Sequence, residues 1–221
     1  MLRLHHLPLC PFSRKIRLVL AEKRIEFELV EQKYWEKSAA FLQLNPAGKV
    51  PVLMVEGKRL SESGAICEYI EETCPNPPLL PRDPMQRHEV RRLMAWFDDK
   101  FHAEVTRGLL FENVHKRLMN AGAPDSRAVK QAARDIKHHL DYLTHLLESR
   151  RWLAGRDLSL ADFTAAAQLS CLDYISWVDW NRSDSLKNWY ATIKSRPAFR
   201  AVLADQVPGF PAPAHYADLD F

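Results

Sequence analysis

The stretch Cys10-Pro11-Phe12-Ser13-Arg14-Lys15 lies where an alternating segment, Leu2 to Leu7, gives way to apolar residues at helical spacing, Ile16, Val19 and Leu20. Proline lacks an N–H donor and has a fixed φ, so at such a junction it fits the first turn of the following helix. The motif therefore places Cys10 and Ser13 where a strand becomes a helix. Free backbone N–H groups and the positive end of the helix dipole collect there. A thiol at that end can lose its proton more easily, and a bound anionic thiolate can be held. The same two residues serve equally as a turn-forming cysteine and a capping serine, and the local pattern leaves both open.

The segments that follow continue in one order. Ile25-Glu26-Phe27-Glu28-Leu29-Val30 alternates as a second strand, which makes the first helix a crossover between parallel strands. Tyr34-Trp35-Glu36-Lys37-Ser38 opens a short polar helix reaching about Leu44, and Asn45-Pro46-Ala47-Gly48-Lys49 is a loop by composition. Val50-Pro51-Val52-Leu53-Met54-Val55 is a strand with its proline at the start, where a cis peptide is expected. Glu56-Gly57 is a tight turn, Lys58-Arg59-Leu60 the return strand, and Ser61-Glu62-Ser63 the start of another helix. A capping role for Glu62 and Ser63 there does not exclude their N–H groups receiving a carboxylate.

Pro75-Asn76-Pro77-Pro78-Leu79-Leu80-Pro81 reads as a connector. The expected organisation is a domain over 1–74, a linker over 75–84, a helical domain over 85–204 and a tail over 205–221. Val90, Leu93, Met94, Phe97, Phe101 and Val105 share one helix face, Asn120 to Asp125 breaks the pattern, and Val129 to Leu147 restores it. His138, His139 and His145 are expected on a solvated face, without a metal-ligand set. Ser159 and Asp162 have the spacing of a reciprocal helix cap, with Leu158 and Phe163 as an apolar staple, before a helix apolar on nearly all sides. Leu186, Trp189, Tyr190 and Ile193 form a last helix.

Composition excludes several classes. With 221 residues, 47% apolar and a net charge of +3, the chain is neither disordered nor marked as a nucleic-acid binder. Its lysines and arginines are interspersed with acids and read as solvated surface. Cys10, Cys67, Cys74 and Cys171 show no metal spacing, and a disulfide framework is unexpected at this size. No signal-peptide core and no membrane-length apolar run is present, so a cytoplasmic protein without membrane insertion is expected.

Three motifs together, Cys10-Pro11-Phe12-Ser13, Asn45 to Leu53 and Ser61-Glu62-Ser63, resemble the cytosolic glutathione transferase superfamily. The Ala154 to Ser159 run and the Ser195-Arg196-Pro197-Ala198-Phe199 ending share that resemblance. It implies an α+β thioredoxin-like domain (βαβαββα) followed by an all-α bundle, the glutathione transferase fold, and a homodimer. It also implies that Cys10 or Ser13 faces the glutathione sulfur. Lys37, Val50, Pro51, Glu62 and Ser63 would form the rest of a glutathione site, with the Val50 backbone at the cysteinyl part and Glu62-Ser63 at the γ-glutamyl end. No cofactor is required, and glutathione binding stays open.

The tail differs from the rest. Pro208, Pro211 and Pro213 prevent a long helix, no lysine or arginine follows Arg200, and Tyr216, Leu219 and Phe221 alternate with Asp218 and Asp220. An acidic segment with spaced apolar anchors fits a docking peptide first, and a strap on its own domain second. The Cys10 to Lys15, Tyr34 to Lys37 and His215 to Phe221 segments resemble a cell-division branch of the superfamily in alphaproteobacteria, whose members bind the tubulin homologue FtsZ. That resemblance implies a non-catalytic regulator of FtsZ filaments at the division site, with Trp35, His215, Tyr216, Asp218, Leu219, Asp220 and Phe221 as contacts. Trp35 serves equally as packing against the second strand. The alternative is a glutathione-dependent transferase or reductase; with no second cysteine at Ser13, Cys10 permits only a monothiol route through a mixed disulfide. A transcription-associated, non-catalytic relative of the stringent starvation type is a third reading, which the tail does not favour.

Overall fold

A computed structural model describes residues 2–219. The first half holds β1 (Leu2–His6), α1 (Pro11–Glu22), β2 (Phe27–Glu31), a 3-10 turn (Tyr34–Glu36), α2 (Ala39–Leu44), β3 (Val52–Val55), β4 (Lys58–Ser61) and α3 (Ser63–Thr73). The sheet order is β2-β1-β3-β4, with β1 and β2 parallel and the other pairs antiparallel. A parallel pair needs a crossover, which α1 supplies. Leu4 stands opposite both Leu29 and Leu53, so one face of the central strands is apolar and meets α1 and α3. Glu56 and Gly57 both have positive φ, as a two-residue hairpin turn requires.

The second half is helical. Asp83 caps α4 (Pro84–Ala95) by accepting from the Gln86 N–H at 2.9 Å. The helix continues without a break through Trp96–His115, which is wound with π-type turns, and ends in α5 (Lys116–Leu118). After Asn120 and Gly122, both at positive φ, α6 (Ser126–Ser149) returns antiparallel. The two long helices touch closely at Gly108, where an added Cβ would lie 2.5 Å from that of Ala132. Then come α7 (Leu160–Asp173), α8 (Asp184–Lys194), α9 (Arg200–Leu203) and the single turn α10 (Ala214–Ala217).

Every residue of α7 is buried, as its uninterrupted apolar pattern predicts. The Ser159–Asp162 cap forms in both directions. Asp162 does more than cap its helix. Its carboxylate also accepts from the Leu153 N–H at 2.9 Å and the Trp189 indole N–H at 3.0 Å.

Two expectations from charge patterning are corrected. His139 does not face solvent. It is fully buried, accepts from the Trp96 indole at 3.1 Å and donates to Glu104 at 2.9 Å, while His138 and His145 are exposed. Nor are the basic residues all at the surface. Arg14, Lys15, Arg17, Lys23 and Lys194 are buried. Four of these lie on α1 or at its end and face the linker and the helical domain. Burying a charge without a partner is prohibitive, and each cation here has an acidic partner. Arg14 and Arg17 converge on Asp205, Lys15 pairs with Asp98, Lys23 with Glu71 at 2.7 Å, and Lys194 faces Asp173 at 3.9 Å.

Removing the Asp162 carboxylate strands three buried N–H donors, each costing about 1–3 kcal/mol when unsatisfied. Asp162→Ala is therefore expected to cost about 3–5 kcal/mol, more than an exposed cap. Asp162→Asn, which retains an acceptor oxygen, is expected to cost less. Urea unfolding of both variants checks the order, and an unchanged midpoint for Asp162→Ala would contradict it.

Candidate functional site

A cleft of about 760 Å³ opens between the sheet domain and the long helix. On the first side it is lined by Cys10, Phe12, Tyr34, Asn45, Lys49, Val50, Pro51, Glu62 and Ser63. On the other stand Arg91, Asp98, Asp99, His102, Thr106, Arg107 and His115.

Local chemistry fixes the first wall. Asn45 is buried and organises the loop, donating from its side chain to Lys49 O at 2.8 Å and accepting from the Ala47 N–H at 3.1 Å. That loop delivers Val50 and Pro51, joined by a cis peptide, to the cleft. Glu62 precedes α3 at φ 66°, ψ 111°, a region sparsely used by residues with a Cβ. Its side chain does not cap the helix, so the first N–H groups of α3, beginning at Ser63, face the cleft region without that partner.

Cys10 is the N-cap residue of α1 and reaches the cleft, while being only 7% exposed. Burial pushes its thiol above the ordinary value, although hydrogen bonds with the Ser13 side chain and the Ser13 and Phe12 amides act the other way. The expectation of an easily ionised thiol at the helix start is thereby corrected, since desolvation outweighs the helix end. Ser13 is fully buried, accepts from the Leu7 N–H at 3.4 Å and does not line the cleft. Its hydroxyl works as part of the turn.

Lys37 ends the 3-10 turn at φ 47°, is exposed and does not line the cleft; Lys49 does. Trp35 packs edge-on against Tyr34 at 5.3 Å and covers the small apolar cluster of Leu7, Cys10, Phe41, Val50 and Val52. Half-buried there, it contributes to the floor of the first domain.

The second wall lies outside the expected set of residues. Arg91, Asp98, His102 and Thr106 recur at helical spacing immediately beside the apolar positions Val90, Phe97, Phe101 and Val105. A polar stripe bordering the buried face was therefore readable, but not the cleft it would meet. His102 lies 4.7 Å from Phe12 ring to ring, across the cleft, and burial lowers its pKa. His115 is hydrogen-bonded to Leu9 O at 3.1 Å, and burial lowers its pKa to about 4.

The tail divides sharply. Tyr216 is fully buried, with its hydroxyl donating to Val202 O at 3.3 Å, and His215 lies 3.1 Å from the Asp173 carboxylate. Ala214–Ala217 thus packs on its own domain, because an aromatic ring between Tyr174 and Arg14 removes more apolar area from water than a free tail would. This reverses the docking preference for Tyr216. Asp218 and Leu219 are exposed, while Asp220 and Phe221 lie outside the described residues. Among the described residues no helix is long and apolar enough to cross a membrane.

A thioredoxin-like domain set against a helical bundle, with a cleft between Cys10, the cis Val50-Pro51 bond and Glu62-Ser63, defines the class. Residues 4–78 match the glutathione S-transferase N-terminal domain and residues 112–206 the C-terminal domain, and the chain belongs to this family. Within it, the chain is 51% identical to FtsZ-localized protein A of Caulobacter vibrioides, over 99% of this chain and 97% of that protein. The structure of FzlA from C. crescentus superposes with a TM-score of 0.95 at 50% identity, covering 100% of this chain and 99% of that one. A glutathione S-transferase from Rhodospirillum rubrum F11 superposes with a TM-score of 0.98 at 47% identity over the full length of both chains.

His115 and His6 are both buried, and burial takes both to about 4. Their folded values lie below the unfolded value near 6.5, so their contribution to stability is complete above that pH and is lost as pH falls toward 4. At pH 5 each is expected to cost about 2 kcal/mol relative to pH 7. Urea midpoints at the two pH values measure the loss, and His115→Gln is expected to shrink it.

Proposed function

We propose that this chain is an FtsZ-binding regulator of bacterial cell division that has kept the glutathione transferase fold without depending on its chemistry. The observation that carries the reading is the 51% identity to FtsZ-localized protein A across 99% of the chain, tail included. In this reading a homodimer in the cytoplasm is recruited to the division site and tunes the organisation of FtsZ filaments during constriction. The contact is made by the end of the tail, where an exposed leucine, Leu219, follows an exposed aspartate, Asp218. Short peptides of this kind bind through a few apolar anchors while their charges set orientation and encounter.

Chemistry at the first-helix position supports a non-catalytic role. Ser13 is enclosed, and the Cys10 thiol is held in its neutral form by burial. Neither offers the ready thiolate or exposed hydroxyl that thiol activation calls for. A second reading has one observation in its favour: the cleft keeps the cis Val50-Pro51 bond and the open start of α3 at Ser63, which suit a thiol peptide with a free carboxylate. Glutathione can then be a ligand without being a substrate.

Co-sedimentation with purified FtsZ polymers tests the leading reading. The full chain is expected in the pellet, and a chain ending at Ala217, which keeps the buried Tyr216, is expected to stay in the supernatant. A full-length chain that fails to pellet would overturn FtsZ binding, and an unaffected truncation would overturn the tail as the contact. Retention on immobilised glutathione together with chloro-dinitrobenzene turnover that Cys10→Ala abolishes would instead establish the enzyme.

A further inference from the structure

We propose that Tyr216, with His215, is a positioning anchor that fixes the point at which the chain leaves the fold, so that the partner meets a segment tethered at a defined place. This rests on the reading of the tail as the FtsZ contact.

α10 (Ala214–Ala217) is one turn long, far below the length at which a helix persists alone. Three prolines in the approach, Pro208, Pro211 and Pro213, supply no backbone donors. The segment is held by side chains. The Tyr216 ring meets Tyr174 edge-on at 5.0 Å and lies 5.8 Å from the Arg14 guanidinium and 6.0 Å from the Lys194 ammonium. Lys194 donates to His215 O at 3.1 Å, and the His215 imidazole reaches Asp173 at 3.1 Å. Upstream, Tyr174 donates to Phe210 O at 2.7 Å and accepts from the Val207 N–H at 3.1 Å. Tyr174, Arg14, Lys194 and Asp173 are themselves buried, and Arg14 belongs to the other domain.

Exposure then changes within one residue. Tyr216 is fully buried, whereas Ala217, Asp218 and Leu219 are all exposed. The buried part of the segment therefore ends just before the proposed contact. Ordering a residue carries an entropic cost, so a tail loose from Val207 onward would draw more of that cost from the binding energy than one anchored through Tyr216. Tyr216 acts on affinity without touching the partner.

Binding of purified FtsZ to the full-length protein, measured by titration of labelled variants whose folding is verified by their urea midpoints, tests the anchor. Tyr216→Ala is expected to weaken binding ten-fold or more. Tyr216→Phe, which keeps the ring and loses the hydroxyl with its bond to Val202 O, is expected to bind like the parent. His215→Ala leaves the core side chains in place and is expected to weaken binding several-fold with little change in midpoint. A synthetic peptide of residues 214–221 is expected to bind at least ten-fold more weakly than the protein. If His215→Ala and a folded Tyr216→Ala bind like the parent, or the free peptide matches the protein, the anchor is refuted. If deletion of residues 218–221 leaves binding unchanged, the tail is not the contact and the underlying reading fails first.

Discussion

The rest of the structure depends on one buried cation. The Arg14 guanidinium, wholly out of water, donates to Pro8 O at 2.7 Å, to the Ser170 hydroxyl at 3.0 Å and to Asp205 at 3.1 Å. These partners come from the loop before α1, from the central helix α7 and from the second residue past α9. A guanidinium needs its donors matched in a low dielectric, and losing one partner of such a set is more costly than never having built it. Arg17 adds two bonds to the same Asp205 carboxylate, both at 2.8 Å. The first helix thereby becomes the common spine of both domains, and the aromatic residues Tyr174 and Tyr216 close over it.

Burial decides the chemistry of Cys10. A helix N-terminus stabilises a nearby anion by about 0.3–1 kcal/mol, whereas full burial can shift an ionisation by several pKa units. Cys10 is buried among Leu7, Phe41, Val50 and Val52, so desolvation wins over the helix end and the nearby Arg14 charge, and the thiol is pushed up. A cleft remains beside it, lined by Cys10, Val50, Pro51 and Ser63.

The spine also gives the tail its two halves. Asp205 and Tyr216 are both drawn onto Arg14, so the chain from α9 to α10 is pressed against the interface between the domains. Beyond Ala217 the burial ends, and Asp218 and Leu219 are exposed. The strap and the exposed end are successive parts of one segment.

The sequence by itself determined the strand and helix order, the proline at the head of β3, the reciprocal cap of α7 and the family, because each rests on local rules of spacing, capping and turn chemistry. It determined the Cys10, Val50, Pro51, Glu62 and Ser63 side of the cleft for the same reason. Only the tertiary structure decided which charges are inside. Arg14, Lys15, Arg17 and His139 look like surface residues in a linear pattern, since their partners Asp205, Asp98 and Glu104 are far along the chain or on another helix. It alone opposed His102 to Phe12, withdrew Ser13 and Lys37 from the cleft, and split the tail at Tyr216. Long-range pairing sets those outcomes, and it has no period that a sequence can display.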